Sequence, residues 1–411
     1  MHSTIALSAN TQYYLNLEEK YGAHNYHPLP VVLNKGEGPF VWDVDGKRYY
    51  DFLSGYSAVN QGHCHPKIIQ SFIKQAQQLT LTSRAFHNNI LGEYEKYITT
   101  LFGYDKVLPM NTGVEAVETA IKLARRWGYV VKRVEENKAK IIVCEGNFHG
   151  RTSTVISFSS DPSAYTHFGP YTPGFESIPY NNAQALEKAL QDKNVVAFLF
   201  EPIQGEAGVV VPDEGYLTAV RNLCTEYNVL MIADEIQTGL GRTGKMLACD
   251  HENVRPDIVT LGKALSGGTM PVSAVLADDA IMLTIKPGEH GSTYGGNPLA
   301  AAVGITSLQV LIDEKMIEHA AEMGQLLRDE LKKINSPFIT VIRGKGLLNA
   351  IVIHHPDKEA AWNLCVALKE NGLLAKPTHG DKIRFAPPLV ITREQISACV
   401  EIIKKSLEVL K

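Results

Sequence analysis

From about residue 90 onward, helix-forming segments alternate with short apolar runs: "KVLPM" at 106, "KIIVCEG" at 140, "VVAFLFEPI" at 195, "NVLMIADEI" at 228 and "PDIVTLGKAL" at 256. No other feature of the chain restricts its fold so strongly. Short runs that are apolar almost throughout suit strands buried on both faces, and a helix between successive strands is the connection parallel strands need. The expectation is an α/β fold with a mostly parallel sheet flanked by helices. Upstream, "PFVWDVDGKRYYDF" (39–52) alternates in strand fashion on either side of Asp45-Gly46, a strong hairpin turn signal. Downstream, "NPLAAAVGITSLQVLIDEK" opens at Asn297 with an N-cap residue and places Pro298 at the first helical position. This long helix bridges to a C-terminal α+β lobe that contains "AIVIHH" at 350 and "AAWNLCVALKENG" at 360.

The 40 basic and 44 acidic residues leave a net charge of −4, which gives no reason to expect nucleic acid or an anionic membrane as partner. Small molecules are the partners to expect. The longest apolar runs, such as "NVVAFLF" at 194–200, are far shorter than a bilayer span. Six cysteines, at 64, 144, 224, 249, 365 and 399, form no CxxC pair, which suits buried single thiols in a reducing compartment, the cytoplasm. The opening "MHSTIALSANTQYYLNLEEKYGAHNY" has no arginine and no apolar signal core, so it reads as neither a secretion signal nor a transit peptide. "HCHPK" (63–67) reads as a turn ended by Pro66, because two histidines flanking a cysteine do not readily face one ion; no metal site is expected.

"GLGRTGKM" (239–246) matches GxGxxG and falls one residue short of a Walker A loop. Two details oppose nucleotide binding there. Met246 stands where a P-loop needs a magnesium-binding hydroxyl, and "DEIQT" separates Gly239 from the preceding strand, where a dinucleotide fingerprint has its first glycine directly after it. A glycine-rich surface loop is the expectation.

Chemistry is expected at strand ends, because ligands of parallel sheets bind outside the carboxyl ends of their strands. Asp234 and Lys263 end two predicted strands separated by one crossover, so they can line one crevice. They could form only a buried ion pair. Alternatively, a desolvated lysine loses its proton readily and forms a Schiff base with an aldehyde, and pyridoxal phosphate additionally needs an acid to keep its ring nitrogen protonated. Its phosphate needs a cradle, which "MNTGVEAVETAIKLARRWGY" (110–129) supplies: Thr112 and Glu115 are in capping-box register, so Gly113 and Val114 present N–H groups at a helix N-terminus.

With these residues collected, the chain resembles the class III pyridoxal-phosphate-dependent aminotransferases over nearly its whole length. The resemblance rests on "YGAHNYHPLP", "NQGHCHP", "NTGVEA", "NFHGRT", "EPIQGEAGVVVP", "ADEIQTGLGRTG", "LGKALSGG", "HGSTYGGNP" and "IRFAPPL", and within the family it is most similar to members acting on ornithine. It implies a fold-type I architecture: a large domain with a mostly parallel seven-stranded sheet, a smaller α+β domain, and an obligate homodimer with shared active sites. The boundaries expected are an N-terminal segment and hairpin at 1–50, belonging to the small lobe, a cofactor domain at 51–297 and a C-terminal small domain at 298–411.

By position, the resemblance makes Lys263 the Schiff-base and proton-shuttling lysine and Asp234 the partner of the ring nitrogen. Gln237 matches the residue at the cofactor's phenolic oxygen, Phe148 the aromatic stacked on the ring, and Gly113 and Val114 the phosphate-binding amides. Thr293 matches a hydroxyl given to the phosphate by the neighbouring subunit. Arg151 and Tyr26 match residues that take the far end of ornithine, with Tyr56 lining the pocket. Arg384 matches the arginine for the α-carboxylate of glutamate, and Glu206 the carboxylate that masks it while cationic ornithine is bound. One departure is His149, where a tryptophan is common in animal relatives; a smaller, titratable ring is expected to retune the pocket. The implied reaction moves the δ-amino group of L-ornithine to 2-oxoglutarate in a ping-pong cycle, with acetylornithine or 4-aminobutyrate transamination as the nearest rivals.

Overall fold

The computed structural model describes residues 7–411; the first six residues, which open both the 1–50 segment and the stretch read for targeting signals, lie outside the described residues. A seven-stranded sheet runs in the order Lys106–Met110, Ser273–Ala277, Ile258–Leu261, Leu230–Asp234, Val195–Phe200, Lys140–Cys144, Phe175–Ile178. Every pairing is parallel except those of Ser273–Ala277, which is antiparallel to both neighbours. The central strands Val195–Phe200 and Leu230–Asp234 are buried at every position, which explains their unbroken apolar sequence. All five apolar runs are strands of this sheet. The other two members carry a weaker signal: "FESI" is a half-exposed edge, and in "SAVLA" only Val275 and Leu276 are large and apolar.

Helix Gly113–Val130 packs one face on the sheet through Val117, Ile121 and Ala124, residues spaced along one helical stripe. The N-terminal hairpin is present as Phe40–Asp43 against Arg48–Asp51, with Leu33–Glu37 added outside it. Its other edge pairs in parallel with Leu373–Leu374, so the two ends of the chain share one sheet. A third sheet, in the order Ile339–Lys345, Leu348–Ile353, Lys382–Phe385, Lys376–Thr378, carries Arg384. Asn297 caps helix Pro298–Asp313 by accepting the Ala300 N–H at 2.8 Å, as the Asn-Pro start implies.

Three expectations are corrected. The loop at 239–246 is not a surface loop: Gly239 to Thr243 are buried, and Arg242 donates to Asn60 Oδ1 at 2.6 Å, Leu347 O at 3.0 Å and Pro387 O at 2.6 Å. Its glycines admit close packing, since a methyl group at Gly244 would collide with Ala321, and the backbone of Thr243 and Gly244 is packed in turn on Gly346. Pro66 begins helix Pro66–Ala76 and does not merely close a turn. Cys64 is exposed, whereas the other five thiols are buried.

Candidate active site

Asp234 is the last residue of its strand, and Lys263 stands just beyond the neighbouring parallel strand, with Asp234 in register with Thr260. Sheet geometry therefore brings both side chains to one cavity of ≈ 230 Å³, lined also by Gly113, Val114, Phe148, His149, Gly150, Glu201, Glu206 and Gln237. An adjoining cavity of ≈ 330 Å³ shares Phe148, His149, Gly150 and Glu206 and adds Arg151.

Both oxygens of Asp234 are held. Oδ1 accepts from the Ile236 N–H at 3.1 Å and the Thr260 hydroxyl at 3.3 Å, while Oδ2 pairs with His149 Nδ1 at 2.6 Å. His149 Nε2 is buried without a partner. Donation from Nδ1 with a bare Nε2 leaves a lone pair unmatched, which costs less than an unmatched charged N–H, so we assign the Nδ1–H tautomer. Burial opposes charge on this ring, but the Asp234 carboxylate outweighs it and holds the His149 pKa above its ordinary value. Burial likewise pushes the Lys263 amine down, opposed by the Glu206 and Asp234 carboxylates.

At the helix start, Thr112 Oγ1 accepts the Glu115 N–H at 3.4 Å, and Glu115 Oε2 accepts the N–H groups of Thr112 at 2.7 Å and Asn111 at 2.9 Å. Gly113 and Val114 follow this capping box with N–H groups that have no intrahelical acceptor, at the cavity wall. Gly150, at φ 122°, packs its backbone on Val114, and a methyl group there would collide with the Val114 side chain.

Opposite this wall, Arg384 Nη1 lies 2.6 Å from Glu206 Oε1 and 3.3 Å from Gln237 Oε1, and Gln237 Nε2 donates to Glu206 at 3.0 Å. Burial works against the Glu206 charge, but Arg384 and Gln237 hold its carboxyl below the ordinary glutamate range. Tyr56 completes the group, its ring 5.2 Å from the Arg384 guanidinium. It sits on the helical turn Ser54–Ser57, which is left-handed throughout: φ is 51° at Ser54, 55° at Gly55, 60° at Tyr56 and 71° at Ser57. Such backbone costs about 1–2 kcal/mol per non-glycine residue, so it persists only where surrounding contacts enforce it.

Arg151 is exposed, its guanidinium 5.8 Å from the centre of the Phe148 ring. Tyr26 is 67% exposed and lines a separate depression beside helix Ala9–Tyr21, its ring 6.0 Å from Lys376 Nζ. Thr293 is exposed and does not line the cavity of its own chain. The chain thus assembles the other expected residues but leaves Tyr26 and Thr293 outside. Sequence reasoning missed Glu201, although it ends the "VVAFLFEPI" strand as Asp234 ends "VLMIAD", an acid after a buried run. Burial pushes its carboxyl up to about 7, and it accepts the Phe148 N–H at 2.8 Å and the Gly205 N–H at 3.3 Å.

This cavity fits pyridoxal phosphate on structural grounds. It combines anion-ready amides at Gly113 and Val114, a glycine-tight wall at Gly150, a half-exposed aromatic at Phe148, an acid at its floor and a lysine with a depressed pKa.

Comparison with known proteins agrees. The model for aminotransferase class-III matches residues 21–407. The mitochondrial ornithine aminotransferase of Rattus norvegicus is 65% identical over 398 residues, covering 97% of this chain and 91% of its own. The Toxoplasma gondii ornithine aminotransferase structure, reported with partial occupancy of the cofactor at its active site, has a TM-score of 0.95 at 49% identity, covering 97% of this chain and 94% of that one. An acetylornithine aminotransferase structure from Elizabethkingia anophelis has a TM-score of 0.90 at 60% identity, covering 98% of this chain and all (100%) of that one. With sequence, fold and cavity in agreement, the chain belongs to the class-III aminotransferase family, whose chemistry uses pyridoxal phosphate.

Proposed function

We propose that the protein transfers the δ-amino group of L-ornithine to 2-oxoglutarate, giving glutamate 5-semialdehyde and glutamate. The observation that carries this reading is the Glu206–Arg384 pair at 2.6 Å, because a two-substrate site needs an arginine that can be hidden and exposed. Bound pyridoxal phosphate supplies an aldehyde that takes up the amine and a ring that accepts an electron pair. Gly113 and Val114 would hold its phosphate, Phe148 would lie against its ring, Gln237 would serve its phenolic oxygen, and Asp234, steadied by His149, would keep a proton on its ring nitrogen.

Lys263, with its proton affinity lowered by burial, would take a proton from the substrate carbon that bears the amine and return it to the carbon on the far side of that nitrogen. While ornithine is bound, Glu206 neutralises Arg384, so the cationic diamine is not repelled, and Arg151, Tyr26 and Tyr56 receive its distant carboxylate and amine. When 2-oxoglutarate enters, Glu206 releases Arg384 to bind the α-carboxylate. The exposure of Thr293 supports a homodimer in which this hydroxyl serves the phosphate site of a second copy. Among the described residues no helix is long and apolar enough to cross a membrane, and the unpaired thiols support a reducing compartment, the cytoplasm. The sheet shared by residues 40–51 and 373–374 supports a small lobe drawn from 1–50 and 298–411, with 51–297 as the cofactor domain.

The 60% identity to an acetylornithine aminotransferase favours N-acetylornithine as a second reading. Supplying each amine with 2-oxoglutarate and quantifying glutamate and the semialdehyde separates them. Faster turnover of ornithine is expected; turnover of N-acetylornithine alone replaces the first reading with the second, and turnover of neither rejects both.

A further inference from the structure

The left-handed turn at Ser54–Ser57 needs a cause, and its hydrogen bonds supply one. Asp51 is buried at the end of strand Arg48–Asp51. Its Oδ1 accepts the N–H groups of Leu53 and Ser54, both at 2.8 Å, and its Oδ2 pairs with His63 Nε2 at 2.7 Å. The two N–H groups it takes flank the point where φ changes sign, from −109° at Leu53 to 51° at Ser54. Ser54 Oγ then donates to Ala386 O at 2.6 Å, and the Ala386 N–H donates to Phe52 O at 2.8 Å. The turn is therefore tied on both sides to the segment that follows strand Lys382–Phe385, the strand that carries Arg384.

We propose that Asp51 is a positioning residue for substrate recognition, holding the left-handed turn in the conformation that lays Tyr56 against Arg384. This inference rests on the reading of Tyr56 and Arg384 as substrate residues. A turn of the opposite hand would send the side chain of residue 56 in another direction, because the Cα–Cβ bond follows the backbone winding. The ring and the guanidinium would then part, and the pocket that discriminates substrates would lose a wall. Asp51 lines neither cavity, so its influence on Tyr56 passes through the turn, while its other oxygen holds His63.

The test compares Asp51→Ala with Asp51→Asn in the holoenzyme, reading KM and kcat for ornithine and for glutamate together with amide hydrogen exchange at Leu53 and Ser54. Asp51→Ala should speed exchange at both amides and raise KM about tenfold, with kcat within about threefold, the loss expected for two buried hydrogen bonds. Asp51→Asn keeps an oxygen for both N–H groups and should restore KM and slow exchange. Faster exchange with unchanged KM in Asp51→Ala overturns the inference, as does an Asn variant as impaired as the Ala variant. Should Asp51→Ala fail to fold, Ser54→Ala removes only the tie to Ala386; a KM rise of about threefold is expected and an unchanged KM overturns the proposal. An unaltered chain that ignores ornithine would reject the substrate reading instead, and the glutamate KM series would still decide the role of Asp51.

Discussion

Along the wall formed by Asp234, Lys263 and Gly113, each group is fixed by the sheet or by the capped helix that packs on it; along the rim formed by Arg151, Tyr26 and Thr293, each group stands exposed on a loop. Between them, Glu206, Gln237 and Arg384 form a largely buried, mutually hydrogen-bonded knot, with the half-buried Tyr56 ring against Arg384. The contrast separates two tasks. On the proposed reading, the groups assigned to the cofactor's ring and amine are preorganised by the chain's own core, whereas Arg151 and Tyr26, assigned to substrate, and Thr293, assigned to a second copy's phosphate site, sit where a ligand or a second copy can complete them.

Substitutions that strike the fixed wall should be the most damaging. Lys263→Ala should lower transamination by at least about a thousandfold, measured as glutamate formed, because proton transfer at the substrate carbon loses its agent. Asp234→Asn should cost about 10²- to 10³-fold in kcat, the loss typical of a preorganised electrostatic partner. The same change has a pH signature. With the carboxylate gone, burial, which lowers the His149 pKa, is opposed chiefly by Glu201, so the imidazole should stay neutral to lower pH than in the unaltered chain, as read by NMR titration of its ring nitrogens. An unchanged titration would mean that the 2.6 Å pair does not govern the ring.

Gly150→Ala should be milder. Its methyl group meets Val114 at the phosphate amides, so overpacking of about 1–3 kcal/mol should appear as weaker cofactor binding in a titration of the cofactor-free protein. At the rim, Tyr26→Phe should raise the ornithine KM less than tenfold, since one exposed hydroxyl is worth about 0.5–1.5 kcal/mol. A Tyr26 variant as damaged as the Lys263 variant would erase the distinction between wall and rim.

The same contrast governs how far the sequence could be read. Asp234, Lys263 and the Gly113 helix start were legible because strand ends and capping boxes leave local signals, and the helix face at Val117, Ile121 and Ala124 follows from periodicity alone. The seven-strand count and Glu206 opposite Arg384 came only through resemblance, as did the part assigned to Thr293, since no local pattern links residues so far apart in the chain. Burial of 239–243 was illegible because glycines that allow a tight surface turn equally allow close packing of two backbones. The left-handed turn at Tyr56 was hidden for a related reason: only Gly55 marks it, while Asp51, His63 and Ala386 hold it.

The most direct test of the central claim, that Glu206 switches one fixed cofactor wall between two substrates, is a rapid-mixing comparison of the two half-reactions in the unaltered holoenzyme and in Glu206→Gln. The absorption band of bound cofactor reports both: ornithine should bleach it and 2-oxoglutarate should restore it. With Arg384 unmasked, the ornithine step should slow about tenfold, while the step restoring the band with 2-oxoglutarate stays equal or quickens. Equal slowing of both half-reactions would contradict the switch and leave Glu206 as a structural partner of Arg384.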